Sequence, residues 1–170
     1  AGLASLTGAP GRLQLVARHR SGAAVYVDYA HKPEALETVL QTLRPFARGK
    51  LVVVFGCGGD RDRAKRPVVG EIGTRLADLA IVTDDNPADE DPATIRRAVV
   101  AGTRGSRAEV FDVGGRAEAI HKAVELAREG DLIAIVGKGD ERHQIMRDGV
   151  VVPHSDPDEV EWALRQRARS

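Results

Sequence analysis

The sequence predicts an α/β fold: a mostly parallel sheet with helices on both faces, entered through an N-terminal β-hairpin. Three observations predict it. Leu51–Phe55 and Leu132–Val136 are unbroken apolar runs, as in strands buried on both faces. Stretches with apolar residues at helical spacing alternate with such runs, which implies right-handed βαβ crossovers. The chain has 170 residues, 42% hydrophobic and 29% charged, enough for one buried core and too apolar for disorder.

Each element has its own signal. Residues 1–11 are rich in Gly, Ala, Ser and Pro without a helical stripe, and read as a linker or lead-in segment ahead of a domain at 12–170. Residues 13–17 alternate apolar and polar side chains, Ser21-Gly22 turns the chain, and Ala24–Asp28 returns, giving a hairpin. A helix opens at Pro33 with Leu36, Val39, Leu40 and Leu43 on one face, its first-turn acids suiting the positive end of the helix dipole. After the strand at 51–55, a helix is predicted from Pro67 with Val68, Ile72 and Leu76 inward. A strand at 79–83 precedes a helix capped by Asp91, with Ile95 and Val99 inward. A strand at 109–113 leads to a helix from about Gly115, and Gly130 ends that unit before the strand at 132–136. Gly149 turns a small hairpin, and Asp156 to Glu159 make a capping-box-like start for a last helix, in which Trp162 is expected in the core. No internal repeat or second domain is visible, and the whole is Rossmann-like in its alternation.

Composition narrows the function classes. Lys+Arg and Asp+Glu both total 25, so nothing calls for nucleic acid or an anionic membrane, and any charged site must be local. Cys57 is the only cysteine, which excludes a disulfide framework. No apolar run is long enough for membrane insertion and no signal peptide pattern is present, so a cytoplasmic protein is expected.

In such a sheet ligands bind at the carboxyl ends of the strands. The residues there are Asp28-Tyr29-Ala30-His31-Lys32, the glycine-rich loop from Gly56 to Pro67, the acidic loop from Asp84 to Pro92, Gly114-Gly115-Arg116, and Gly137 to His143. These loops hold most of the unusual residues, whereas the opposite edge has plain connections such as Ala47-Arg48-Gly49-Lys50. Glycines followed by Arg61, Arg63, Lys65 and Arg66 suit a small-anion site at a helix N-terminus; the alternative is a solvated, charge-balanced loop. The dinucleotide fingerprint is absent, as is the ATPase phosphate loop. His31 suits either a ligand contact or a structural role. Asp60, Asp62, Asp84 and Asp85 suit a metal or, given the neighbouring cations, internal ion pairs. With no base placed near it by sequence, Cys57 suits packing better than nucleophilic work.

Three stretches carry a resemblance. Asp28-Tyr29-Ala30-His31-Lys32-Pro33-Glu34-Ala35-Leu36-Glu37, Val54 through Pro67, and Asp85-Asn86-Pro87 resemble the C-terminal domain of the MurE branch of the Mur ligases. The likeness runs from Gly2-Leu3-Ala4 to the final helix, and the glycine-cysteine loop is highly specific to that branch. The resemblance implies an ATP-dependent amide-forming ligase. It would add a diamino acid, meso-diaminopimelate or L-lysine, to UDP-N-acetylmuramoyl-L-alanyl-D-glutamate in peptidoglycan synthesis. It also implies covalently linked N-terminal and central domains, the central one binding most of ATP and Mg2+. No catalytic residue and no metal ligand is expected in this chain, which alone should be inactive.

Residue by residue, the resemblance implies nucleotide-binding roles for Arg12, Asp28 and His31. It implies amino-acid binding by Arg61, Asp85, Asn86, Pro87, Ala88, Gly137 and Glu141. Arginine forks suit carboxylates, and Asp and Glu suit a distal ammonium. Three positions depart from the pattern. Ala88 stands where diaminopimelate-selecting relatives have arginine, with Arg63 or Arg142 available to compensate; Asp140 replaces a histidine; Lys32 replaces threonine at a helix cap. Alternative readings are a drifted, non-catalytic amino-acid-binding module, or a related ligase for another amino acid.

Overall fold

A computed structural model describes residues 9–60 and 62–168. The expected Arg61 contact and residues 1–8 of the lead-in segment lie outside the described residues. The strands are β1 (Gln14–Arg18), β2 (Ala24–Asp28), β3 (Leu51–Phe55), β4 (Leu79–Val82), β5 (Glu109–Asp112) and β6 (Leu132–Val136), with a small hairpin of β7 (His143–Ile145) and β8 (Val151–Pro153). The helices are α1 (Pro33–Leu43), α2 (Lys65–Leu76), α3 (Pro92–Ala101), α4 (Arg116–Leu126) and α5 (Asp156–Ala168).

The main sheet runs β1-β2-β6-β3-β4-β5, and only the β1–β2 pair is antiparallel. Alternate residues of the buried strands feed two cores. Val53, Phe55, Ala80, Val82 and Ala134 face Leu36, Leu40, Val69, Ile72, Ile95 and Val99 of α1, α2 and α3. Val52, Val54, Ile81, Ile133 and Ile135 face Ala119, Ile120 and Ala123 of α4 and Val160 of α5. Burial on both faces is why these strands read as unbroken apolar runs. The expected α/β class, the hairpin and the helix order all hold.

The α1 crossover carries the chain from β2 to β3 past β6, which is reached later from β5 by way of α4. After β3 the chain leaves toward the α2 core, and after β6 toward the α5 core. The β3–β6 border is therefore a topological switch point, where a crevice opens at the carboxyl ends.

Several local expectations are corrected. Helix α2 starts at Lys65, ahead of Pro67, and Val68 is exposed while Val69 takes the inward position. The shift puts Arg66 inside, 2% exposed. Helix α5 is capped by Ser155, whose Oγ accepts from the Asp158 amide; Asp156 is fully buried instead of capping. Trp162 is not core: it is 47% exposed and stacks on His121, with ring centroids 4.3 Å apart.

Asp91 caps α3 as expected, accepting from the Ala93 and Thr94 amides. Lys32 precedes α1 with extended backbone (φ −105°, ψ 151°) and no side-chain cap bond. That backbone suits a hydroxyl cap, so Lys32→Thr should stabilise the chain by about 0.5–1 kcal/mol. Chemical denaturation would read this as a higher midpoint with an unchanged slope.

Candidate functional site

The crevice holds a cavity of about 210 Å³ built from four strand ends. Tyr29 and His31 follow β2; Gly56, Cys57 and Gly58 follow β3; Asp85 and Asn86 follow β4; Gly137 and Glu141 follow β6; Lys65 closes it from the start of α2. Larger recesses of about 680 and 600 Å³ open at the amino ends of the strands, among plain connections. The small cavity collects the chemistry because it sits at the switch point.

Two of its loops interlock through backbone contact. The Gly59 amide donates to the Asn86 carbonyl at 2.8 Å, and a Cβ at Gly59 would fall 1.8 Å from the Pro87 oxygen. Glycine is required there for that approach. Below the contact, buried Arg66 donates to both carboxylate oxygens of Glu90, at 2.7 and 3.1 Å, and Glu90 also accepts from the Asp60 amide. The Arg66 hydrogen bonds hold the Glu90 carboxyl down at about 2. Arg63 reaches the same carboxylate at 3.3 Å from a largely exposed position.

The acidic loop is held on its other side by the small hairpin. The Ile145 amide donates to Asn86 Oδ1, and the Ala88 amide donates to the Ile145 carbonyl. Gln144 Nε2 donates to the Asp85 carbonyl. Pro87 and Ala88 thus serve loop docking and stand outside the cavity lining; Ala88 takes a positive φ of 50°. Arg142, one of the compensating cations considered, is ion-paired with Asp158 of α5. Arg63 remains beside the acidic loop.

Deeper, Lys138 is fully buried, and its Nζ donates to Asp85 Oδ1 (3.2 Å), Asn86 Oδ1 (2.8 Å) and Glu141 Oε2 (3.1 Å). Beside it, Arg116 and Asp156 form an ion pair with no exposure on either side chain. Arg116 donates to both Asp156 oxygens and to the Val136 carbonyl, fixing the end of β6. Burial disfavours the Asp156 carboxylate, but Arg116 and His154 more than offset this and hold its carboxyl well below the ordinary range.

At the β2 end, Asp28 is buried and both its oxygens are engaged by backbone, Oδ2 by the Leu13 amide and Oδ1 by the Ala30 amide, each at 2.7 Å. It ties the chain just ahead of β1 to the end of β2. The Arg12 guanidinium lies over the Tyr29 ring at 4.8 Å, and His31 meets that ring edge-on. Gly11 packs on the Asp140 backbone, where a Cβ would come within 2.4 Å of the Asp140 nitrogen.

Of the residues expected from sequence, His31, Asp85, Asn86, Gly137 and Glu141 line one cavity. Arg12 and Asp28 stand at its β2 rim. Asp84 and Asp85 pair with Arg96 and Lys138, whereas Asp60 and Asp62 engage backbone amides. Among the described residues no group of three His, Cys, Asp or Glu side chains could hold a metal ion. Burial pushes the Cys57 thiol up to about 11, consistent with packing. Sequence reasoning missed Lys138, Arg66, Arg116 and Asp156. A signal existed: Arg66 and Arg116 are cations in first helical turns, where the dipole disfavours them unless an acid pairs with them.

The family described as Mur ligase, glutamate ligase domain, matches residues 11–139. The chain belongs to the Mur ligase family. It is 55% identical over 168 residues to the UDP-N-acetylmuramoyl-L-alanyl-D-glutamate–2,6-diaminopimelate ligase of Mesorhizobium japonicum, covering 99% of this chain and 34% of that protein. The like-named protein of Agrobacterium fabrum is 52% identical over 96% of this chain and 32% of its own length. A solved structure of a ligase of that name superposes with a TM-score of 0.87 at 40% identity, over 97% of this chain and 33% of that one. Mycobacterium tuberculosis folylpolyglutamate synthase complexed with ADP and AMPPCP gives a TM-score of 0.58 at 26% identity, over 76% of this chain and 30% of that one. The chain spans about a third of the length of the curated relatives it matches. Among the described residues no helix is long and apolar enough to cross a membrane.

Proposed function

We propose that this chain is the C-terminal domain of a cytoplasmic, ATP-dependent ligase of peptidoglycan synthesis. Residues 1–11 lead in from a central ATPase domain, and 12–170 form the domain that closes over ATP and presents the incoming diamino acid. The observation that carries this reading is the cavity's mixed charge: its lining brings Asp85 and Glu141 together with Lys65. A site for phosphate alone has no use for two carboxylates, whereas an amino acid brings both an ammonium and a carboxylate. The relatives' names support the ligase class.

In the whole enzyme, ATP activates the carboxylate of UDP-N-acetylmuramoyl-L-alanyl-D-glutamate, and the amine of the diamino acid attacks it to give an amide, ADP and phosphate. This domain holds the amine donor so that a bimolecular encounter becomes a positioned one. Arg12, Asp28 and His31 form its nucleotide-facing rim, and Arg61, Asp85, Asn86, Gly137 and Glu141 hold the amino acid. Mg2+ and most of ATP are held outside this chain, so the domain alone gives no turnover.

The amino acid we assign is 2,6-diaminopimelate, for which the relatives are named, with Arg63 as the guanidinium beside the acidic loop. Ala88 is the observation that favours lysine, because it offers no charge to a distal carboxylate. Competition among diaminopimelate, lysine and ornithine in an assay of the full-length enzyme decides between them; preference for lysine would overturn the assignment. In the same assay Ala88→Arg should raise the diaminopimelate-over-lysine ratio of kcat/KM. One charge-assisted pair worth about 1.5–3 kcal/mol corresponds to roughly 10- to 150-fold.

A further inference from the structure

Lys138 belongs to none of the roles assigned above, yet it is the most enclosed charge at the cavity. It stands between Gly137 (φ 116°) and Gly139 (φ 56°). Both backbones are in the region that favours glycine, and a Cβ at Gly139 would press on the Gly11 oxygen at 2.8 Å and on Tyr29 Cβ at 2.9 Å. Flanked in this way, the lysine side chain runs inward, and its ammonium has three donors for three acceptors.

Those acceptors come from two separate loops. Asp85 and Asn86 follow β4, Glu141 follows β6, and all three line the cavity. Two carboxylates pointed at one small cavity repel each other, and in a low-dielectric setting the repulsion would splay the loops. Lys138 removes that repulsion and occupies only one oxygen of each acid. Asp85 Oδ2 stands against Gly137, where a Cβ would come within 3.4 Å of it. With one cation against two carboxylates, the cluster keeps one net negative charge.

We propose that Lys138 is a positioning residue for the amine donor: it locks Asp85, Asn86 and Glu141 into one cradle whose single residual negative charge matches one ammonium. This rests on the amino-acid reading of the cavity. Without Lys138 the two carboxylates repel and separate, which spoils the geometry that receives the ammonium. The Lys138 ammonium bonds Asp85, Asn86 and Glu141 and, among the described residues, neither Arg12 nor Asp28 of the nucleotide-facing rim, so its loss should move diamino-acid binding far more than nucleotide binding.

The test is steady-state kinetics of the full-length ligase with Lys138→Met, Lys138→Gln and Glu141→Gln. Lys138→Met should raise KM for the diamino acid by at least about tenfold, with KM for ATP and for the UDP-linked substrate within about twofold. Lys138→Gln keeps donors for two of the acceptors and should fall between wild type and Lys138→Met; it carries the test if the methionine variant does not fold. A general folding defect would lower the active fraction, and with it kcat, without selecting one KM. If Glu141→Gln raises KM for the diamino acid while the folded lysine variants leave it unchanged, the role of Lys138 is refuted and the site reading survives. If none of the three moves that KM, the amino-acid reading itself fails.

Discussion

Asp156→Asn should lower the unfolding free energy of this chain by about 3–5 kcal/mol, because it leaves the buried Arg116 guanidinium without its counter-charge. At roughly 2–4 °C per kcal/mol for a domain of this size, that is a fall in Tm of about 6–20 °C. The pair is wholly enclosed and has no solvent to fall back on. Arg116→Met with Asp156→Leu removes both charges together and should recover more than half of the loss, since paired apolar replacement of buried ions is often neutral. Equal destabilisation by the double and single variants would mean that packing, not charge, sets the stability here.

The same pair gives a pH signature. Because the Asp156 carboxyl is held below its ordinary value of 3.8 in the folded chain, its stabilisation is fully present above that pH. It is lost as pH falls through the folded value, where the native state must take up the proton that the unfolded chain already binds. Acid unfolding followed by circular dichroism should therefore be less steep in Asp156→Asn than in wild type below about pH 4.

Gly59→Ala should disable the amine-donor site with far less effect on stability. The added methyl would fall 1.8 Å from the Pro87 carbonyl oxygen, and backbone cannot give way as a flexible side chain can. The glycine loop and the acidic loop must separate, breaking the 2.8 Å bond from the Gly59 amide to Asn86. A displacement of about 1 Å in a positioning element can reduce rate about a hundredfold, so kcat/KM for the diamino acid should drop by that order while KM for ATP holds. A variant with normal diamino-acid kinetics would show that the interlock is only structural.

Much of this was legible in the sequence, for physical reasons. Strands buried on both faces, such as Leu51–Phe55, admit no polar interruption, so their apolar runs and the parallel sheet were visible. The strand-end loops could be gathered on one edge because crossover handedness leaves little choice. What stayed hidden was which charges turn inward. Arg66, Arg116 and Lys138 look like surface residues until tertiary contacts bring Glu90, Asp156 and Asp85 to them, from 24, 40 and 53 residues away. Trp162 failed the opposite way: an aromatic expected in the core is satisfied at the surface by stacking on His121. Pro67 marks the start of α2 only to within a turn: proline suits the first helical position, but the helix begins at Lys65 because its first turn tolerates proline further in.

The measurement that tests the central claim most directly is the effect of Asp85→Asn on the full-length ligase, with diamino acid and ATP titrated separately. Asp85 is nearly buried, lines the cavity and gives Oδ1 to Lys138. If this cavity receives the ammonium of the incoming amino acid, removing that charge should raise KM for the diamino acid by about tenfold or more and leave KM for ATP within about twofold. A raised KM for ATP with unchanged diamino-acid kinetics would make the cavity a nucleotide site and contradict the account.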